Sequence, residues 1–216
     1  MDELTTIQRV AIWVLPVILA ITVHEVAHGW VAKLKGDSTA SMLGRLTLNP
    51  IKHIDPVGTL LVPGILLLMG GFIFGWAKPV PVSWRNLRNP KHDMAWVALA
   101  GPAANFFMAL IWAAIIKLGI VVNSGFASKP MVLMGQAGIT INLVLMILNL
   151  LPIPPLDGGR IMSSLLPVNL AQGYDKIEPY GFFILIGLIY TNVLSMIMQT
   201  PLSLLYHWII SLIGLN

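Results

Sequence analysis

Four long apolar stretches, Val10–Leu34, Met94–Leu118, Met131–Leu151 and Tyr180–Gln199, decide what this chain can become. Each is long enough to cross the roughly 30 Å hydrocarbon core of a bilayer as a helix, which takes about 20 residues. A fifth stretch, Pro201–Leu215, is apolar but short. A sixth, Val57–Trp76, has the length but is interrupted by Pro63-Gly64 and Gly70-Gly71. Such breakers fit a segment that bends or dips back into lipid better than a straight helix. Composition agrees. Charged residues make up 10% of the 216, hydrophobic residues 56%, and mean hydropathy is +0.82. A soluble chain carries about 25% charged residues, so this one lacks the charge to cover a water-facing surface. The expectation is an all-α polytopic membrane protein with five to six hydrophobic segments, a re-entrant segment and extended loops embedded near its site. One domain spanning residues 1–216 suffices for this length. Met1-Asp2-Glu3-Leu4 lacks the basic start of a signal peptide, so the first apolar stretch is expected to stay.

Charge placement orients the spans. Lys33, Lys35, Arg45 and Lys52 precede Val57–Trp76, and Lys78, Arg85, Arg88 and Lys91 follow it. If that stretch crossed the bilayer, one basic cluster would lie outside, against the positive-inside tendency. A re-entrant path keeps both clusters cytoplasmic. The N-terminus is then external, and only Arg9, Lys117 and Lys129 of the thirteen basic residues lie outside. The net charge of +4 is thereby read as topology and lipid contact, and nucleic acid is not an expected partner.

Ionisable side chains inside a span are costly and mark function. His24, Glu25 and His28 are three of them within five residues of the first span. On a helix, positions i and i+4 share a face, so both imidazoles reach one metal ion, while Glu25 projects beside them as a base for bound water. Chance is a weak competitor, since this chain's own residue frequencies give on the order of 0.002 matches to His-Glu-x-x-His. Two satisfied core histidines with an accidental glutamate would leave a carboxylate without a partner in lipid.

Two histidines leave a catalytic zinc short of its usual third protein ligand. With no cysteine, the candidates are His53, His92, His207, Glu178 and six aspartates. Asp157 stands out in Asn149-Leu-Leu-Pro-Ile-Pro-Pro-Leu-Asp157-Gly-Gly-Arg160. Its three prolines stop the preceding helix and extend the chain, and Gly158 and Gly159 permit close packing and a sharp turn. In the topology above, Asp157 sits at the inner end of an inward-running helix. His28, five residues before Lys33, lies about 8 Å below the same surface.

As an ordered set these residues resemble the site-2 protease family of intramembrane zinc metalloproteases, in its compact microbial branch without PDZ or CBS domains. The resemblance rests on His24-Glu25-x-x-His28, on Ala100-Gly101-Pro102-Ala103-Ala104-Asn105, and on Asn149…Pro152…Pro155-Leu-Asp157-Gly. Gly36-Asp37, Gly44-Arg45-Leu-Thr-Leu-Asn49-Pro50 and Gly75-Trp76-Ala77-Lys78-Pro79-Val80-Pro81-Val82 add to it. It covers roughly residues 10–165 as a catalytic core, with accessory membrane segments at about 180–215. It implies one Zn2+ per chain held by His24, His28 and Asp157, with Glu25 activating the zinc-bound water. Asn149 and Asn105 are either donors to substrate or its oxyanion, or amides tying helices together. Gly101-Pro102 reads as a helix start or a point of close packing.

The implied partners are transmembrane or membrane-anchored substrates and the bilayer itself, and the implied setting is a prokaryotic cell membrane with the site toward the cytoplasm. A peptide bond inside a helix is covered, so cleavage needs a locally unwound substrate. Leu46–Pro50 and Ile153–Leu156 offer edges for it, and the loops Lys33–Lys52 and Lys78–Lys91 offer walls for a water route. Other readings fit less well. Peptidases acting on prenylated proteins take a third ligand from a later glutamate, and after Glu25 there is only Glu178. A metal or proton transporter explains buried His and Glu but not the Pro-rich Asp157 element, and a catalytically dead binding protein would not need an intact ligand set with its base.

Overall fold

The computed structural model of the chain describes residues 4–61, 78–122 and 125–215. Among these the regular structure is helical. Helix α1 (Thr6–Leu34) opens with a capping box in which Thr5 and Gln8 exchange side-chain and backbone hydrogen bonds. A one-turn helix, α2 (Thr39–Met42), follows, and then loops containing 3-10 turns at Pro50–His53 and Trp84–Asn86. Helix α3 (Pro90–Val122) starts with proline in its first position, where the missing N–H costs nothing. Helices α4 (Ser128–Asn149), α5 (Asp157–Leu165), α6 (Val168–Asp175), α7 (Gly181–Tyr190) and α8 (Val193–Leu212) complete the chain.

Four of these, α1, α3, α4 and α8, are long and apolar enough to cross a membrane. At 1.5 Å per residue α3 is about 50 Å long and outruns a 30 Å hydrocarbon core. In its first turn Asp93 pairs with Lys35 at 3.1 Å, a charged pair that suits a helix end outside the hydrocarbon. Large apolar side chains such as Phe107, Ile111 and Leu118 are exposed on the same helix, as a lipid-facing surface requires.

The first three expected spans correspond to α1, α3 and α4. The fourth and fifth stretches are partitioned differently. Tyr180–Gln199 is not one span, because α7 ends at Tyr190 and Asn192 turns the chain through a left-handed conformation with φ 59. Ten residues make only about 15 Å of helix. The break arises where Asn, which tolerates this conformation better than most side chains, follows Thr. Pro201 in turn does not begin a segment but lies inside α8, since a helix packed among others tolerates the lost hydrogen bond.

The re-entrant reading of Val57–Trp76 falls mostly outside the described residues, which stop at 61 and resume at 78. Its flanks do meet. The Lys78 N–H donates to the His53 carbonyl at 2.9 Å, and Arg45 Nη2 donates to the carbonyls of Lys78 and Pro79. Both basic flanks thus sit at one end of the helices.

Helix α3 is central. It packs against α1, α4 and α5, and the main apolar cluster joins its Trp112, Ala113 and Ile116 to Ile139, Leu143 and Met146 of α4 and Ile209 of α8. In lipid, close approach rather than water exclusion holds helices together. Gly138 supplies it, because a side-chain carbon there would fall within the Trp112 indole.

Candidate metal centre

The imidazoles of His24 and His28 project from one face of α1 with ring centroids 4.6 Å apart and nearly perpendicular planes. Asp157 arrives from the first position of α5. It is delivered by residues 150–156, which bend sharply after α4, with Leu156 N–H donating to Ile153 O. Gly158 and Gly159 pack their backbones against the carbonyls of Leu150 and Leu151 and against Pro154, too close to admit a side chain. The expected close packing is present, although both glycines lie in the first turn of α5. Asp157 Oδ2 stands 3.3 Å from His24 Nε2 and 3.2 Å from His28 Nε2, and the two nitrogens are 3.0 Å apart. His24, His28 and Asp157 are 7%, 9% and 7% exposed. Among the described residues they form the one group able to offer three ligand atoms to a metal ion.

The protons decide what this cluster lacks. His28 Nδ1 lies 2.7 Å from the Val97 carbonyl, which only accepts, so Nδ1 carries a proton and, in the neutral ring, Nε2 keeps a lone pair. His24 Nδ1 lies 2.5 Å from Asn105 Oδ1. That Asn105 atom is the oxygen, because the amide nitrogen donates to Ala20 O at 3.2 Å and to Asn142 Oδ1 at 2.9 Å. With both rings neutral, as metal binding requires, two Nε2 lone pairs and a carboxylate oxygen converge on one point. Asp157 Oδ2 is buried and accepts no hydrogen bond. A cation resolves this. Tetrahedral zinc with ligands at about 2.0–2.1 Å sets neighbouring ligand atoms about 3.3 Å apart, which matches the observed triangle, and the neutral-imidazole and carboxylate donor set suits it.

Gly101 closes the centre from α3. A side-chain carbon there would lie 2.5 Å from His24 Cε1, 2.6 Å from His24 Nε2, and closer still to His28 Nε2. Gly101-Pro102 therefore marks close packing and not a helix start, which lies eleven residues earlier at Pro90.

Glu25 is half-buried beside the cluster, and its Oε2 accepts the Val80 N–H at 2.7 Å. Val80 belongs to the irregular run 78–83, whose end is tied by Ser83 N–H to Asp37 Oδ2. Asp37 is itself buried. Burial works against its charge, but hydrogen bonds from Thr39, Asn86 and the Ser83 backbone outweigh that and hold its pKa below the usual carboxylate range.

Of the remaining candidates, Glu178 and Asp175 line the cleft described below, away from the cluster, and others are engaged elsewhere. Buried His53 uses Nε2 to hold the Thr47 carbonyl at 2.9 Å. His207 bonds Ser203 on an exposed face of α8, and His92 lies near Trp96. Asp55 caps the turn at Val57 and Gly58. Asn149 donates to Leu145 O of its own helix at 3.0 Å. Asn105 is fully buried, with oxygen and nitrogen both committed inside the protein on the side of His24 away from Nε2. Asn142 and the Val80 N–H were not singled out from sequence. Asn142 was findable as an amide in an apolar span, whereas a backbone donor carries no sequence signal.

A cleft of ≈ 630 Å³ lies between Val82, Trp84 and Lys91 on one side and Pro154, Gly159 and Arg160 on the other, and none of His24, Glu25, His28 and Asp157 lines it. Residues of the Lys78–Lys91 loop supply part of one wall. The facing wall comes from residues 154–178.

A model of "Peptidase family M50" matches residues 12–129 and 117–192. The chain is 40% identical to "Putative zinc metalloprotease YwhC" of Bacillus subtilis (strain 168) over 194 residues, covering 88% of this chain and 85% of that protein. It is 28% identical to the similarly named Rip2 of Mycolicibacterium smegmatis over 199 residues, covering 90% and 73%. No solved structure matches the chain.

Proposed function

The chain belongs to peptidase family M50, the site-2 protease family that its motifs resemble, and is a zinc-dependent metalloprotease; from that premise we propose that it cleaves membrane-protein substrates within or near their spanning segments, with His24, His28 and Asp157 as zinc ligands and Glu25 as general base. The observation that carries the ligand assignment is the convergence of three buried candidate ligand atoms, separated by 3.0–3.3 Å, on one point. The four apolar helices support a site working inside the bilayer.

When bound, Zn2+ supplies a Lewis acid for the scissile carbonyl and brings the pKa of water toward about 7. The chain's own groups do the rest. Glu25 takes the proton from the attacking water and returns it to the leaving amine, and the Val80 N–H holds the carboxylate in place for both transfers. His28 and His24 keep their Nδ1 protons on Val97 O and Asn105 Oδ1, so neither imidazole competes for the transferred proton. Asn149, at the end of α4 just before the Pro-rich turn, serves as a donor to the substrate once it rotates from Leu145 O. Asn105 orients His24 instead of contacting substrate, because its amide is used up within the protein. The cleft between Trp84 and Pro154 receives the unwound substrate chain. The basic loops orient this end toward the cytoplasm of a prokaryotic cell, and residues 1–216 act as one domain.

The test is cleavage of single-span peptides by the purified protein in bilayers, with the cut mapped against the membrane. A zinc-dependent cut inside or at the inner edge of the span is the expected result. Cleavage confined to soluble peptides would refute the substrate class.

A further inference from the structure

Two asparagines buried in apolar helices are conspicuous in lipid, where each polar group must find a partner. Asn105 on α3 and Asn142 on α4 are both fully buried. Together they form one line of hydrogen bonds across three helices. His24 Nδ1 on α1 donates to Asn105 Oδ1, Asn105 Nδ2 donates to Asn142 Oδ1, and Asn142 Nδ2 donates to Gly138 O at 2.8 Å. Asn142 touches neither a proposed ligand nor the cleft, yet it controls the orientation of the amide that does touch His24.

We propose that Asn142 is a positioning residue for zinc, locking the Asn105 amide so that His24 presents an unprotonated Nε2 to the metal. This rests on the zinc reading of His24 given above. Both hydrogens of Asn105 Nδ2 are taken, by Ala20 O and Asn142 Oδ1. Were the amide to flip, its oxygen would face those two oxygens, losing two hydrogen bonds and gaining two repulsions. The unflipped amide shows His24 an oxygen, which cannot donate, so the imidazole proton must sit on Nδ1. A flipped amide would show it an N–H instead, moving the proton to Nε2 and closing the ligand position. Without Asn142 Oδ1, Ala20 O alone resists the flip. His28 needs no such device, because its anchor, Val97 O, is a backbone carbonyl that cannot reverse. The two histidines therefore differ in how their tautomers are held, and only one is exposed to loss of Asn142. Partners of metal-bound imidazoles characteristically change metal affinity by about 10–100-fold when removed.

The experiment reads the tautomer in metal-free protein labelled with 15N-histidine in lipid nanodiscs, and zinc affinity by chelator competition in the same samples. Wild type is expected to show Nδ1–H at both His24 and His28. Asn142→Leu is expected to show mixed tautomers at His24 alone, with zinc bound about tenfold more weakly. Asn142→Ala serves if the leucine variant does not fold. Asn142→Asp, whose neutral form keeps a carbonyl toward Asn105 and an O–H toward Gly138 O, is expected to restore both readouts. Unchanged His24 tautomer and affinity in the leucine or alanine variant would overturn the proposal, as would an aspartate variant as impaired as the leucine one. Failure of the ligand reading itself would show separately, as wild type that binds no zinc whatever its tautomers.

Discussion

Replacing Gly101 by alanine puts one carbon into the space where the two imidazoles meet. The added atom would stand 2.5–2.6 Å from His24 Cε1 and Nε2 and closer to His28 Nε2. Ordinary van der Waals contact begins near 3.4 Å, so the rings must retreat by about 0.8–1.0 Å or α1 must part from α3. Metal sites tolerate ligand displacements of about 0.2 Å, and the loss should exceed the roughly 10–100-fold typical of removing an indirect partner. Zinc affinity is expected to fall at least about 100-fold, or about 2.7 kcal/mol. Helix propensity acts in the opposite direction, since alanine is favoured over glycine inside a helix by about 0.8–1.0 kcal/mol. The metal-free protein should therefore keep its helix content while losing zinc, which separates damage to the centre from general unfolding. Chelator competition and circular dichroism on one preparation measure both. Zinc affinity within threefold of wild type would refute the placement of Gly101 against the ligands.

Val80→Pro removes the N–H that Glu25 Oε2 accepts. A hydrogen bond to a charged group is worth about 1.5–3 kcal/mol, so kcat should fall about 10–100-fold with zinc content unchanged; metal analysis beside kinetics checks this. Asp37→Ala leaves the donors of Thr39, Ser83 and Asn86 without their acceptor. That should destabilise the 83–89 loop by about 1–3 kcal/mol, read as faster amide hydrogen exchange there. Because the folded pKa of Asp37 is depressed, the unfolded carboxylate, near 3.9, binds its proton first as pH falls. The stability it contributes is thus present above about pH 4 and lost as pH drops through the folded value. Loop protection should weaken on acidification in wild type and stay flat in Asp37→Asn.

The candidate metal centre was legible because its chemistry is written in side chains. His24, Glu25 and His28 share a helix turn, and Asp157 announces itself through prolines and glycines that have no other use in an apolar run. Helices α1, α3 and α4 were legible for a related reason, since lipid demands long uninterrupted apolar runs. The C-terminal segments were not. Pro201 looks like a boundary, yet α8 carries it internally, and the true break at Thr191–Asn192 depends on one residue taking a left-handed conformation. The supports of the centre were hidden for a different reason. Val97 O and Val80 N–H are backbone groups, available at any residue and chosen by packing alone. Asn105 was visible, but whether its amide faces substrate or His24 depends on the partners Ala20 O and Asn142, which only the helix packing of α1, α3 and α4 brings to it.

The most direct measurement pairs zinc content with proteolysis in Glu25→Gln. The amide keeps the shape of the side chain and lies outside the proposed ligand set, but it cannot take a proton from water. One zinc per chain with cleavage of a spanning peptide abolished is the expected result. Cleavage at the wild-type rate would contradict Glu25 as the base, and loss of zinc would contradict its place outside the ligands.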